Sequence, residues 1–251
     1  MCSAGGPGQL IYPTGVAQGP AQGTVLVVDS GNHRLQTFDI VTGEPLQETG
    51  SAGGGDGQFG SPKAVVCACG KVVISDAGQH RLSIFSADTL AWDRHIGGAK
   101  GAGIGEFNAP DGLAIWKGDA DAPRSDQQAH VFVADSENHR VQVVELGSGR
   151  HVRMIGHGQG SRPGQFSQPT GMAIDARSRL LVGECRGRRV QVLSMSGEPL
   201  QVCKLGSTVV RGICCPQEDS DADDVNRNKV YCCDFANHRV AVLQLLPCGS
   251  H

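Results

Sequence analysis

Aromatic side chains are scarce in this chain: of 251 residues, seven are Phe, two Trp and two Tyr. Proteins that bind single-stranded nucleic acid stack successive bases on aromatic platforms, and so few rings leave little for that task. Long apolar runs are also missing. No stretch approaches the ~18 residues an apolar helix needs to span a bilayer. The first residues, MCSAGGPGQL, have neither the basic patch nor the apolar segment of a signal peptide. The ten cysteines include no Cys-x-x-Cys, which excludes a zinc ribbon or RING finger from this stretch of chain. They occur as Cys67/Cys69, Cys214/Cys215 and Cys232/Cys233, with Cys2, Cys185, Cys203 and Cys248 apart. Adjacent residues of a strand face opposite sides, so the doublets are poor chelators. They read as free thiols in a reducing, cytoplasmic compartment, packed as small apolar residues. The formal net charge is only −3, so bulk charge does not draw nucleic acid. There is no Gly-x-Ser-x-Gly elbow, no Gly-x-x-x-x-Gly-Lys phosphate loop and no His-Glu-x-x-His.

Glycine (36) and proline (12) are plentiful, as expected of many short strands joined by turns. They punctuate an internal repeat. Five stretches read VVDSGNHRLQTF (27–38), ISDAGQHRLSIF (74–85), VADSENHRVQVV (133–144), VGECRGRRVQVL (182–193) and CCDFANHRVAVL (232–243). Their acidic residues, Asp29, Asp76, Asp135, Glu184 and Asp234, lie 47, 59, 49 and 50 residues apart. A period of that size marks one supersecondary unit copied along the chain. Apolar and β-branched residues precede each acid, and an alternating run follows each Arg, which predicts two antiparallel strands joined by a tight turn. Upstream stand GQL-IY-P (8–13), GQF-GS-P (57–62), GEF-NA-P (105–110) and GQF-SQ-P (164–169), each followed by another short strand. The fifth copy lacks the proline but keeps the register as VRGICC (210–215), with Gly212 matching Gly171. A fourth, weaker strand fits stretches such as PLQETG (45–50) and HVRMIG (151–156). Four strands per ~50 residues is the pattern of a propeller blade.

The combination DSxNHRVQV with an upstream GQFxxP resembles the NHL repeat over essentially the whole chain. The fourth copy departs, with Glu184 for Asp, Gly187 for Asn and Arg188 for His. The resemblance implies an all-β fold: a single β-propeller over 1–251 with four-stranded blades at about 8–56, 57–104, 105–163, 164–206 and 207–246. Only LLPCGSH follows the last hairpin, so the fifth blade lacks an outer strand in this reading. The five blades then form a five-bladed ring, which we favour, or part of a six-bladed one. The resemblance further implies a non-catalytic module that recognises a protein or peptide, as NHL domains do in ubiquitin ligases and signalling scaffolds. Recognition of RNA by a basic face, as in certain animal NHL domains, is the alternative.

Asp and His invite a catalytic reading, since they are the usual proton-transfer groups. Recurrence argues otherwise, because a group repeated in every blade answers a demand made by every blade. Asp29, His33, Arg34, Asp76, His80, Arg81, Asp135, His139, Arg140, Glu184, Arg189, Asp234, His238 and Arg239 are therefore expected to tie the turns, with Arg locked on the strand-end carboxylate. Phe59, Phe107 and Phe166 are expected to anchor blade packing, with Leu10 as their counterpart. Numbering strands outward from the central channel puts Thr14, Lys63, Asp111, Thr170 and Arg211 at the channel mouth. The fourth blade adds Arg162, Arg186 and Arg188 to that end. Lys63, Asp111, Arg162, Arg186, Arg188 and Arg211 are thus the candidate partner-binding residues. The acids within Glu218–Asp224 and the insertion at 117–129 fall at the opposite end. A zinc-dependent amidating lyase of NHL-like fold takes its zinc histidines from a Pro-His at the start of the innermost strand. The matching positions here carry no histidine, so no metal or other cofactor is expected, and the propeller lyase or lactonase reading is remote. No membrane association is expected.

Overall fold

A computed structural model of the chain describes residues 5–118, 129–216 and 229–245. The fold is all-β, and its antiparallel sheets are the blades of a β-propeller. In blade one, β1 (Pro13–Gln18), β2 (Thr24–Asp29), β3 (Arg34–Asp39) and β4 (Pro45–Thr49) lie side by side in that order. Blade two repeats the order with β5 (Pro62–Ala68), β6 (Lys71–Asp76), β7 (Arg81–Ser86) and β8 (Trp92–Gly97). Blade three has β9 (Pro110–Trp116), β10 (His130–Asp135), β11 (Arg140–Glu145) and β12 (His151–Ile155). Blade four has β13 (Pro169–Ile174), β14 (Leu180–Glu184), β15 (Arg189–Leu193) and β16 (Pro199–Lys204). Among the described residues blade five holds three strands, β17 (Val210–Cys214), β18 (Lys229–Asp234) and β19 (Arg239–Gln244).

The chain divides into two compact units, 1–137 with 142–153 and 138–141 with 154–251. In the first, Leu26, Val28 and Leu35 of blade one pack on Phe59, Val65, Val72, Ile74 and Phe85 of blade two. The opposite face of blade two, with Val73, Leu82, Ile84 and Ile96, packs on Phe107, Leu113, Val131 and Val133. In the second unit, Leu181, Val190 and Val192 of blade four pack on Val210, Val230 and Cys232 of blade five. A middle strand thus buries both of its faces, and Ile74 and Val73 look into different cores. That is why the stretches before the acids read as continuous apolar runs rather than alternations.

Phe59, Phe107 and Phe166 are fully buried, and burial of each such ring contributes roughly 1.5–3 kcal/mol. Each lies over a glycine that ends the preceding blade's outer strand. A Cβ on Gly50, Gly97 or Gly156 would come within 2.5, 2.7 or 2.8 Å of the ring, and all three glycines have positive φ. Leu10 departs from the expectation of a fourth anchor, because it is 40% exposed. The segment before it, residues 5–9, forms no strand and supplies no such glycine floor.

Candidate functional site

Each middle strand delivers its acidic residue to the same environment. Strand pairing sets the acid opposite the proline that opens the innermost strand: Pro13 faces Asp29, Pro62 faces Asp76, Pro110 faces Asp135 and Pro169 faces Glu184. Proline has no N–H to place in the ladder, so it suits the first position of a strand. The residues just before it turn their own N–H groups onto the carboxylate. Ile11 N donates to Asp29 Oδ1, Asn108 N to Asp135 Oδ1 and Ser167 N to Glu184 Oε2, each at 2.7 Å.

The arginine completes the site. Arg34 Nε donates to Asp29 Oδ2 at 2.9 Å, Arg189 Nε to Glu184 Oε1 at 2.6 Å and Arg239 Nε to Asp234 Oδ2 at 3.1 Å. Arg34 Nη2 also donates to the carbonyls of Gly6 and Gln9, and Arg189 Nη2 to those of Arg162 and Gln165. The guanidinium therefore ties the turn to the loop that leads into the same blade. Asn32 and Asn237 each add a 2.8 Å bond to the carboxylate. Burial opposes the charge of Asp29, but the donors from Ile11, Asn32 and Arg34 outweigh it and lower its pKa. For Asp234 the same contest, with Asn237, Arg239, Thr208 and Val209 as donors, brings the pKa to about 2.

Two members of this network carry roles that the motif did not announce. The histidine ends the turn in the left-handed region, with φ of 55° at His33, 53° at His80, 55° at His139 and 51° at His238. Arg188 takes that place in blade four, with φ of 50°. His80 Nδ1 accepts from Ala109 N at 3.1 Å, and His139 Nδ1 from Gln168 N at 3.0 Å. An accepting Nδ1 leaves the ring proton on Nε2. Each of these histidines thereby holds the pre-proline residue of the next blade, which is itself left-handed (φ 53° and 56°). The second member is a buried glutamine two positions after the arginine. Gln36, Gln142 and Gln191 donate to Asp29, Asp135 and Glu184 at 3.1, 3.0 and 2.8 Å. Their Oε1 atoms accept from Gly8, Gly105 and Gly164.

Blade two is built differently. Ser83 replaces the glutamine, and its Oγ lies 3.2 Å from Nδ1 of His95 on β8. Asp76 takes N–H bonds from both Gly60 and Ser61, while Arg81 Nε stands 3.9 Å away. Arg81 is held instead by the carbonyls of Gly54, Gly55 and Gln58. Because Ser61 N is spent on Asp76, His33 Nδ1 of blade one is buried with no hydrogen-bond partner. Burial, and then the charge of Arg81, push the His95 pKa down, against Asp56 and Asp76.

The candidate partner-binding residues fall in both units. In the first, Lys63 and Asp111 are half-buried, and their carbonyl oxygens accept from Thr14 Oγ1 and Ser75 Oγ. In the second, Arg162, Arg186, Arg188 and Arg211 are exposed. Hydrogen bonds tie the segments that carry them into blades four and five. Arg189 grips the 160–165 loop, Leu205 N donates to Arg188 O at 3.0 Å, and Phe235 N donates to Val209 O at 3.0 Å. The Arg211 guanidinium lies over the Phe235 ring, 5.6 Å from its centroid, and Phe235 is 64% exposed. Thr170, placed by sequence at the channel mouth, is instead buried, its hydroxyl donating to Val210 O at 2.6 Å. The acids at 218–224 and most of the 117–129 insertion lie outside the described residues.

The eight described cysteines are free thiols. Packing as small apolar residues fits Cys232, which is buried and whose thiol burial pushes up to about 12. It does not fit Cys214 and Cys233, which are exposed, because they share the face of blade five turned away from blade four. Among the described residues no three His, Cys, Asp or Glu side chains gather as metal ligands. No helix among them is long and apolar enough to cross a membrane.

A family model described as the NHL repeat matches residues 10–38, which run from the loop before β1 to Phe38 in β3. No curated protein matches the sequence. Several solved structures are similar in fold. The Kuenenia stuttgartiensis hydrazine synthase is 12% identical, with a TM-score of 0.58 over 94% of this chain and 84% of that one. The WD40 β-propeller domain of Doa1 is also 12% identical, with a TM-score of 0.57 over 88% of this chain and 60% of that one. A chain of the nidogen/laminin complex is 14% identical, with a TM-score of 0.65 over 93% of this chain and 76% of that one. At such identities the likeness is one of fold alone.

Proposed function

Because residues 10–38 match the NHL repeat and the sheets are the blades of a β-propeller, we propose that this chain is a non-catalytic interaction module that binds an acidic segment of a protein partner on the exposed arginines of blades four and five. One observation carries the reading. Arg162, Arg186 and Arg188 are exposed and form no ion pair among the described residues, and Arg211 rests on the exposed ring of Phe235. Arginine over an aromatic face presents a pre-ordered, weakly hydrated cation suited to carboxylates. The neighbouring motif residues support a non-catalytic role, since Glu184 is held by Ser167 N–H, Arg189 and Gln191, and Asp234 by Thr208, Val209 N–H, Asn237 and Arg239. In a cytoplasmic setting such a domain would serve as the substrate-recognition part of a ubiquitin ligase or a signalling scaffold, with catalysis supplied by another chain.

The test is the triple reversal Arg186→Glu, Arg188→Glu and Arg211→Glu. Binding of a short Asp/Glu-rich peptide is expected to weaken at least tenfold at unchanged Tm. Unchanged binding would remove the arginines from the site. The exposed Phe235 also favours a second reading, in which a base of single-stranded RNA stacks there. A short oligouridine that binds more tightly than the peptide, with affinity falling steeply in salt, would put RNA first.

A further inference from the structure

Asp-Gly occurs twice in the chain, at Asp56-Gly57 and Asp111-Gly112, and the fold treats the two pairs oppositely. Asp111 and Gly112 lie inside β9, where Gly112 is buried and Asp111 O accepts from Ser75 Oγ at 2.5 Å. Asp56 and Gly57 lie in the loop that leads into blade two, at a turn closed by Gln58 N donating to Gly55 O at 3.2 Å. The Asp56 side chain is 71% exposed, and its contact with His95 Nε2 spans 3.7 Å. Its carboxylate accepts no hydrogen bond among the described residues. Gly57 also differs from its counterparts in the other blades. Gly8 N, Gly105 N and Gly164 N each donate to the Oε1 of a buried glutamine, at 2.9, 3.2 and 2.9 Å. In blade two Ser83 stands in the glutamine's place and reaches His95 instead, so Gly57 N has no acceptor among the described residues. Nor do those counterparts follow an acid, since Pro7, Ile104 and Pro163 precede them.

We propose that Asp56-Gly57 is a site of spontaneous covalent modification, at which Asp56 isomerises to isoaspartate through a succinimide. Gly57 N attacks Cγ of the protonated Asp56 carboxyl. The N–Cγ bond forms, a C–O bond breaks, and the hydroxyl leaves as water with the N–H proton. Water then adds to the main-chain carbonyl carbon of Asp56, and the bond from that carbon to Gly57 N breaks. The product carries its main chain through the former side chain and has a free α-carboxylate. Glycine puts no Cβ in the way of the attack. Where the amide is held, as in the other blades, its hydrogen bond has to break before the nitrogen can react. The substitution of Ser83 for glutamine thus leaves an acid and a free amide side by side in blade two. The consequence is local. Isomerisation adds one methylene to the loop whose carbonyls at Gly54, Gly55 and Gln58 hold the terminal nitrogens of Arg81. No residue of the arginine cluster takes part, so the site stands whether or not that cluster binds an acidic partner.

The intact chain is aged at neutral pH and physiological temperature, and isoaspartate at each Asp-Gly pair is read by peptide mapping with fragmentation that separates the two isomers. Asp56 is expected to isomerise faster than Asp111 by about tenfold or more. Ser83→Gln with His95→Val gives blade two the pair that blade four has in Gln191 and Val202. In a chain that keeps its Tm, that exchange is expected to slow the reaction at Asp56 by about tenfold. Asp56→Asn changes an exposed side chain and needs no repacking. It is expected to lose ammonia through the same ring faster than Asp56 loses water, because the amide needs no prior protonation. Three results would overturn the proposal. Asp56 isomerises no faster than Asp111; the exchanged pair folds and leaves the rate at Asp56 unchanged; or the Asp56→Asn chain keeps its amide.

Discussion

Blades one and two share a turn and a strand order, yet they solve the problem of a buried acid differently. In blade one Asp29 is shared among Arg34, Gln36, Asn32 and the N–H of Ile11, a network in which every member leans on the carboxylate. In blade two Asp76 is satisfied mainly by the N–H groups of Gly60 and Ser61, while the terminal nitrogens of Arg81 donate to carbonyls and its buried Nε has no hydrogen-bond partner. The acid and the arginine no longer share a hydrogen bond, although they stay 3.9 Å apart. A repeated motif can thus keep its residues while changing which bonds hold them. The unpartnered Nδ1 of His33 is the trace of that change on the preceding blade.

The sharpest way to break the comparison is to remove the acids. Asp29→Ala removes the one acceptor shared by Ile11 N, Asn32, Gln36 and the buried Nε of Arg34. It should cost about 3–5 kcal/mol in urea unfolding, the range for breaking a buried ion pair from one side, although Glu48 and the carbonyls of Gly6 and Gln9 still hold the rest of Arg34. Asp76→Ala removes the N–H bonds of Gly60 and Ser61 but no hydrogen bond of Arg81, and should cost about 1–3 kcal/mol. Equal costs would show that the 3.9 Å separation in blade two does not matter. Next in size is Gln36→Ala, which leaves the N–H of Gly8 and the carbonyl of Gln9 without their side-chain partner and should cost about 1–2 kcal/mol. Ser83→Ala removes only the contact to His95 and should cost less than about 1 kcal/mol in the same assay.

Acid separates the two blades more gently. The folded-state pKa of His95 is depressed, so protons favour the unfolded chain, and its contribution is present above pH 6.5 and lost as pH falls below that value. Arg81, Asp56, Asp76, Ser83 and Trp92 face this ring. Asp29 is a depressed acid, so its contribution is complete above pH 3.8 and is lost only below it. Amide exchange followed between pH 7 and 5 should therefore loosen blade two while blade one holds, and His95→Gln should remove the effect. Loosening of both blades together would contradict the assignment.

Much of this was legible in the residues. Strand ends, turns and opening prolines follow from period-two alternation and local turn chemistry, which act within a few positions. The packing of Phe59, Phe107 and Phe166 followed from their recurrence. The role of the histidine did not, because a left-handed φ and an imidazole bond to the next blade leave no mark on a string of letters. Gln36, Gln142 and Gln191 stand in the repeat in plain view, but alternation alone does not say that a polar residue is buried. Leu10 and Thr170 were misjudged for related reasons. Position in the repeat assigned them a neighbour, whereas burial depends on whether that neighbour exists.

One set of contacts from blade to blade has a direction. Gly50 receives the ring of Phe59, Gly97 that of Phe107 and Gly156 that of Phe166, while His80 and His139 receive the amides of Ala109 and Gln168. In these five contacts the receiving group belongs to the blade made earlier and the arriving group to the blade made next, whereas the hydroxyls of Thr14, Ser75 and Thr170 reach forward to carbonyls of the following blade. A chain leaving the ribosome amino end first therefore presents each new blade with a finished dock. Growth resembles laying bricks along a course, in which a poorly set early brick is felt by the next one laid and not by those before it.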